Sequence, residues 1–367
     1  KLSFNRSCKV LKKKEKIFTI KPKFLSNPTD KIQYKICKEF PKIQKKIINE
    51  VKVYGRSNFT FKDNTVFYSN TLWDSKKNYC LEELNGRCLL VNRNKLIWFN
   101  PKKIIKIDEA ISFLDSTSFN YAHWTLEIIP KIYLFCKYNK KKLHLLIDAN
   151  LHKNFYSALK FVIDRKVKIK LIDKNECLHI KKLHVISSSG FSCHSPIYPS
   201  KKHYHGIYNQ TLLNELSKFI IQKINSNSKG KNFDKIFVTR NSIKRNLVNQ
   251  NNIGKILKSV DFKIININNL NFIDQVKLYN NAKIIVSVNG ASNANIIFAK
   301  SKTKYFGIVK DLKYGDGYYY WPSAFSKRKI IINFLVCGNV SLINTYNNNF
   351  YLKKSILNKL IELVKKF

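Results

Sequence analysis

Three short stretches carry the residue types that do chemistry. The first runs from Asn120 to Phe135. Read as a helix, it puts His123, Glu127 and Lys131 one turn apart on one stripe, beside an apolar stripe of Trp124, Ile128, Ile132 and Phe135. A carboxylate one turn from an imidazole fixes its tautomer and stabilises the imidazolium, which suits a general base. The same spacing also describes an ordinary surface pair. Pro130 removes a backbone donor and crowds the preceding turn, so a kink or break is expected there. The second stretch is Val238–Asn249, where a strand is expected to end. It holds Arg240, Lys244 and Arg245. Ligands of open parallel sheets bind outside the carboxyl ends of the strands, and a guanidinium fork suits pyrophosphate. A solvated basic loop is the plainer alternative. The third is Ile284–Phe298, a buried strand running into Gly290, Ala291 and Ser292 and then a helix start capped by Ser292 or Asn293. Gly290 admits close backbone approach, and helix-start amides favour phosphate. It is neither a Walker loop nor a GxGxxG, and a purely structural turn has the same look.

No Asp-x-Asp pair occurs, so no metal site is expected on a donor pyrophosphate. Neutralisation falls to Arg240, Lys244, Arg245 and backbone amides. His194, His203 and His205 share a loop and could ligate a metal, although a polar loop is the simpler account. The eight cysteines show no CxxC or zinc-type spacing. Cys80 and Cys88 are near enough for a local disulfide, with free thiols in a reducing compartment the competing expectation.

These residues need a frame, and 367 residues suffice for two domains. Of 68 basic residues only eight are Arg, and the net charge is +45. Abundant Lys, Ile and Asn are what A+T-rich codons produce, so part of the charge reads as drift and part as attraction to anionic donors, glycans or lipids. No nucleic-acid motif appears, and Trp73, Trp98, Trp124 and Trp321 are scattered, so no specific nucleic acid is expected as a partner. No apolar run reaches membrane-spanning length, and the basic N-terminus has no apolar core behind it. The expected location is cytoplasmic, with peripheral contact at the anionic inner face of a membrane.

Residues 1–50 read as a basic lead-in with short helical stretches such as Lys42–Val51, and 51–228 as an N-terminal α/β lobe. The polar run Asn225–Asn232 is the best linker. Beyond it strands and helices alternate regularly through 229–345, a Rossmann-like lobe, and 346–367 form a closing helix. The expected fold is α/β, with two Rossmann-like lobes facing a cleft.

Taken together, the three stretches resemble glycosyltransferase family 61 across about residues 112–310. Its Asn-x-x-His-Trp-x-x-Glu-x-x-Pro run is matched by Asn120, His123, Trp124, Glu127 and Pro130. Its Ser/Thr-Arg run, with further basic residues and a downstream Asn, is matched by Thr239, Arg240, Lys244, Arg245 and Asn249. A hydrophobic-Gln step is matched by Phe272 and Gln275, and its His-Gly-Ala-Gly-x-x-Asn turn by Gly290, Ala291 and Asn295. Three positions depart from the pattern: Asn289 stands for His, Ser292 for the second Gly, and Gln250 for Glu.

The resemblance implies an inverting transferase of GT-B type that moves a sugar from a nucleotide-sugar co-substrate to a glycan or lipid-linked glycan, in surface or capsular polysaccharide synthesis, without cofactor or metal. It makes His123 and Glu127 the catalytic pair, either one serving as base. It assigns the donor to Arg240, Lys244, Arg245, Asn249, Asn289, Gly290, Ala291, Ser292 and Asn295, and gives Asn120 and Trp124 acceptor or supporting roles. Two other readings compete: a polyanion- or nucleic-acid-binding protein, and a transferase fold inactivated at Asn289.

Overall fold

The computed structural model describes residues 8–26, 39–68, 88–92, 95–98, 104–139, 141–164, 167–192, 206–225, 233–310, 320–339 and 348–366. The linker 226–232, the loop histidines 194, 203 and 205, and the side chains of Cys80 and Cys88 lie outside them. The chain divides into two compact units, Lys1–Lys16 with Glu39–His203, and Ile17–Lys38 with Tyr204–Phe367.

The first unit is built on one sheet. Its strands are β1 (Ile43–Tyr54), β2 (Phe59–Lys62), β3 (Thr65–Tyr68), β4 (Ile104–Ser112), β5 (Leu143–Asp148), β6 (Val167–Ile172) and β7 (Cys177–Ile186). The order is β6-β5-β4-β7-β1-β2-β3, with Lys9–Lys12 also paired to β1. β6, β5, β4 and β7 are parallel, and β1 joins them antiparallel. The helix expected over Lys42–Val51 is therefore a strand. Nine residues of β1 pair with β7, from Tyr54 opposite Cys177 to Lys45 opposite Ile186. The β-branched Ile43, Ile48, Val51 and Val53 are buried there, so pairing and burial override a lysine-rich local pattern. Ala110, Leu146, Ile180 and Leu183 complete the centre of this core.

The second unit holds β8 (Lys235–Thr239), β9 (Lys263–Asn266), β10 (Ile284–Val288), β11 (Lys304–Lys310), β12 (Ile331–Asn339) and β13 (Phe350–Tyr351). The order is β9-β8-β10-β11-β12-β13, parallel through β12 and antiparallel at β13. Its helices include α1 (Gln210–Asn225), α2 (Gln250–Lys258), α3 (Phe272–Asn281) and α4 (Lys354–Lys365). Strands such as Ile284–Val288, apolar but for Ser287 and buried at all five positions, are what a sheet covered on both faces requires. Both units are thus α/β with parallel sheets.

Each parallel sheet has one place where the chain reverses its direction of travel, and crevices for ligands open there. In the first unit the reversal lies between β4 and β7, in the second between β8 and β10.

Candidate functional site

All three stretches fall at these reversals, the first at the one in the first unit and the other two at the one in the second. After β4 the chain turns through Phe113–Phe119 into a helix that starts at Tyr121. Asn120 caps it, its side chain accepting from the Ala122 amide at 2.9 Å. Tyr121–His123 is α-helical, Trp124–Ile128 is a π-turn, and Ile129–Tyr138 is α-helical again. The expected disturbance at Pro130 takes this form. Pro130 sits in the first turn of the renewed helix, where no N–H is needed, and the Ile129 amide reaches back five residues to the Trp124 carbonyl. Trp124 is fully buried and stacks on Phe155 at 5.5 Å, so it anchors the helix to the unit's core.

His123 and Glu127 meet across the π-turn. His123 Nδ1 lies 2.8 Å from Glu127 Oε1, with side-chain exposures of 6% and 12%. The same Oε1 accepts from the Ser192 amide at 3.0 Å and the Ser192 hydroxyl at 2.8 Å. Ser189 donates to the Glu127 carbonyl at 2.8 Å. Both serines follow β7, so the two strands flanking the reversal between them supply the pair and its clamp. An ionised carboxylate only accepts, which puts the imidazole proton on Nδ1 and the basic lone pair on Nε2. Ser189 and Ser192 were not legible as site residues; a Ser-rich run just past a buried strand was the sole hint.

Asp148, at the end of β5, supports the same edge. It is fully buried and accepts from the Arg56 amide at 2.6 Å and the Asp115 amide at 3.0 Å. Burial pushes its carboxyl up to about 6, and the hydrogen bonds from the Asp115 and Arg56 amides oppose that rise. It fixes the loop that leads to Asn120.

At the second reversal, Arg240 leaves β8 and Asn289 leaves β10. Arg240 Nη1 donates to the Asn289 carbonyl at 2.8 Å, bridging the two strand ends. Gln250 holds the Arg240 backbone, accepting from its amide at 2.7 Å and donating to its carbonyl at 3.2 Å. Gly290 is extended, and a Cβ there would overlap the Arg240 guanidinium. The residue is glycine because an arginine passes over it. Asn289 Oδ1 takes the Trp321 indole N–H at 2.9 Å and the Asn293 amide at 3.4 Å. An indole only donates, so the oxygen of Asn289 is committed and what it offers the turn is its NH2.

The helix expected to begin at Ser292 or Asn293 is a 3-10 run, Ala291–Phe298, with Gly290 at the cap position and no side-chain cap. Asn293 cannot cap because its amide group faces inward, to Ser287 at 2.5 Å and Tyr305 at 2.8 Å. Ala291 and Ser292 are half-buried beside Gly290. Asn295 is fully buried and donates to Gln275 at 2.8 Å, while Asn249 exchanges two hydrogen bonds with Leu352 at 2.8 and 3.1 Å. Both are thus tied to other parts of the second unit. Lys244 is exposed; Arg245 is half-buried with a left-handed φ of 61°, uncommon for a residue with a side chain.

Among the described residues no three His, Cys, Asp or Glu gather as a metal site, and no helix is long and apolar enough to cross a membrane.

The family model described as Glycosyltransferase 61 matches residues 121–306, just over half of the 367-residue chain. The match begins at the helix bearing His123 and ends within β11. No curated protein matches the chain.

Proposed function

Because the chain belongs to glycosyltransferase family 61, and so is a glycosyltransferase, we propose that it transfers a sugar with inversion from a nucleotide-sugar donor to a glycan or lipid-linked glycan acceptor, in surface polysaccharide synthesis at the cytoplasmic face of a membrane. The first unit supplies the acceptor side and the base, the second the nucleotide side, in a GT-B arrangement.

The observation that carries this reading is the His123–Glu127 pair, held at 2.8 Å and nearly closed to water. Inversion requires a single in-line displacement. His123 Nε2 takes the proton of the acceptor hydroxyl as its oxygen attacks the anomeric carbon, and the bond from that carbon to the donor phosphate breaks. Glu127 holds the Nδ1–H and balances the imidazolium. It is the orienting partner because its Oε1 already accepts from Ser192 twice. The departing nucleoside diphosphate is met by Arg240, Arg245, Lys244, the Asn289 NH2 and the amides following Gly290, donors aimed at developing charge. Charge carried by arginine and lysine meets this need without a metal.

The test is a thermal-shift panel of nucleotides and nucleotide sugars, followed by NMR of the anomeric configuration of the product. The matching nucleotide at a hundred times its Kd is expected to add about 2.7 kcal/mol of stability. A panel in which nothing stabilises the protein sinks the donor assignment, and a retained configuration sinks the single displacement.

A further inference from the structure

We infer that a pocket at the first reversal, where β4 and β7 end, seats an acidic sugar residue of the acceptor, with Lys131 and Ser112 holding its carboxylate or phosphate group. The inference rests on the proposed transferase reading and narrows its acceptor to a chemical class.

The pocket is built within the first unit. Ser112 and Leu114 come from the end of β4, Ile186 from the end of β7, and Phe59 and Thr60 from the start of β2. Lys131 reaches it from the helical segment Ile129–Tyr138, one turn past Glu127. Ligands of parallel sheets bind in the crevice at such a reversal. The free space is about 390 Å³ including the mouth. That is the small end of ligand sites and suits one sugar ring better than a chain. The walls mix apolar surface, on which a ring can lie, with a few polar groups that fix its orientation.

Unlike the His123–Glu127 pair, two donors in this pocket lack acceptors. Lys131 is half-buried, and among the described residues no acceptor holds its ammonium. Glu127 does not serve, because its Oε1 is taken by His123 and twice by Ser192. The Ser112 oxygen accepts from the Leu114 amide at 3.3 Å, and among the described residues its hydrogen meets no acceptor. An ammonium and a hydroxyl that both only have donors to offer are best met by a group that accepts and carries negative charge. Lys131 is also the one charged residue lining the pocket, so the charge that it recognises is a single anionic group. Partial burial weakens the screening of that attraction. Lys131 shares a stripe with His123 and Glu127, and the base chemistry leaves it unused.

The experiment is a saturation-transfer NMR titration of the full chain without donor. The probes are glucuronic and galacturonic acids, the phosphate monoesters of glucose and galactose, the neutral parent sugars, and acetate and inorganic phosphate as measures of general attraction to a basic chain. Wild type is expected to bind at least one acidic sugar about tenfold more tightly than its neutral parent and than the free anion. The better arm, uronic acid or phosphate ester, identifies the group. Folded Lys131→Met is expected to abolish the preference, Lys131→Arg to keep most of it, and Ser112→Ala to reduce it several-fold. Circular dichroism checks folding, and Ser112→Ala decides if Lys131→Met does not fold. Acidic and neutral sugars bound alike by wild type, no sugar bound at all, or a preference within twofold of wild type in the folded variants overturns the inference. Acidic sugars bound through Lys131 by a protein that no nucleotide stabilises would leave the pocket standing and sink the donor reading.

Discussion

The two reversals solve opposite problems with the same sheet geometry. At the first, polar groups are paired with protein. One oxygen of Glu127 takes three donors, and His123 is left a single tautomer. At the second, Arg240 bonds the Asn289 carbonyl and its own backbone is held by Gln250. A proton-transfer site needs a fixed, dry pair whose partners are already settled. Under the proposed function, the second reversal needs donors that a diphosphate can meet. The units share an α/β frame and differ in what is collected at its edge.

The contrast can be broken from either side. The largest effect is expected from Glu127→Ala, which leaves the His123 Nδ1–H and the Ser192 donors facing no carboxylate. We expect kcat to fall about a thousandfold, with nucleotide affinity unchanged. A parallel loss of nucleotide binding would erase the division of labour.

Next is Asp148. Its folded pKa, about 6, lies above the ordinary carboxylate value of 3.8, so the folded chain holds this proton more tightly than the unfolded one. The associated stability is present below the unfolded value and is lost as pH rises through about 6, by about 3 kcal/mol at most. Denaturant titrations across that window should show this decline in wild type and its absence in Asp148→Asn. The same slope in both proteins refutes the assignment.

Third, Gly290→Ala sets a methyl group against the Arg240 guanidinium. Nucleotide affinity should drop about tenfold, as in Arg240→Ala, with the His123 pair undisturbed, and a tight-binding Gly290→Ala protein would disconnect Arg240 from the donor. The smallest change is expected from Asn289→His, which restores the usual family residue. One ring nitrogen can accept from Trp321 while the other donates to phosphate, so donor affinity should rise a few-fold in titration. A fall in affinity would mean that Trp321 demands the amide.

Much of the frame was legible. The regular alternation after Lys235 has the period of parallel βα units, and each predicted strand there exists. Ile43–Tyr54 was not legible, because its strand character comes from pairing with β7, far along the chain. The His123–Glu127 contact followed from helical spacing, though the π-turn beneath it did not. The partners of Asn249 and Asn295, Leu352 and Gln275, are ones that a sequence does not show. Ser192, Trp321 and Asp148 stayed silent for the complementary reason: each is tied to a neighbour that only folding supplies.

The most direct test of the account uses one preparation of His123→Ala and two readings. Nucleoside diphosphate titration should match wild type, while sugar transfer measured on the same sample should fall to background. Loss of both, or transfer persisting without the imidazole, would contradict the proposal that His123 is the base and takes no part in holding the nucleotide.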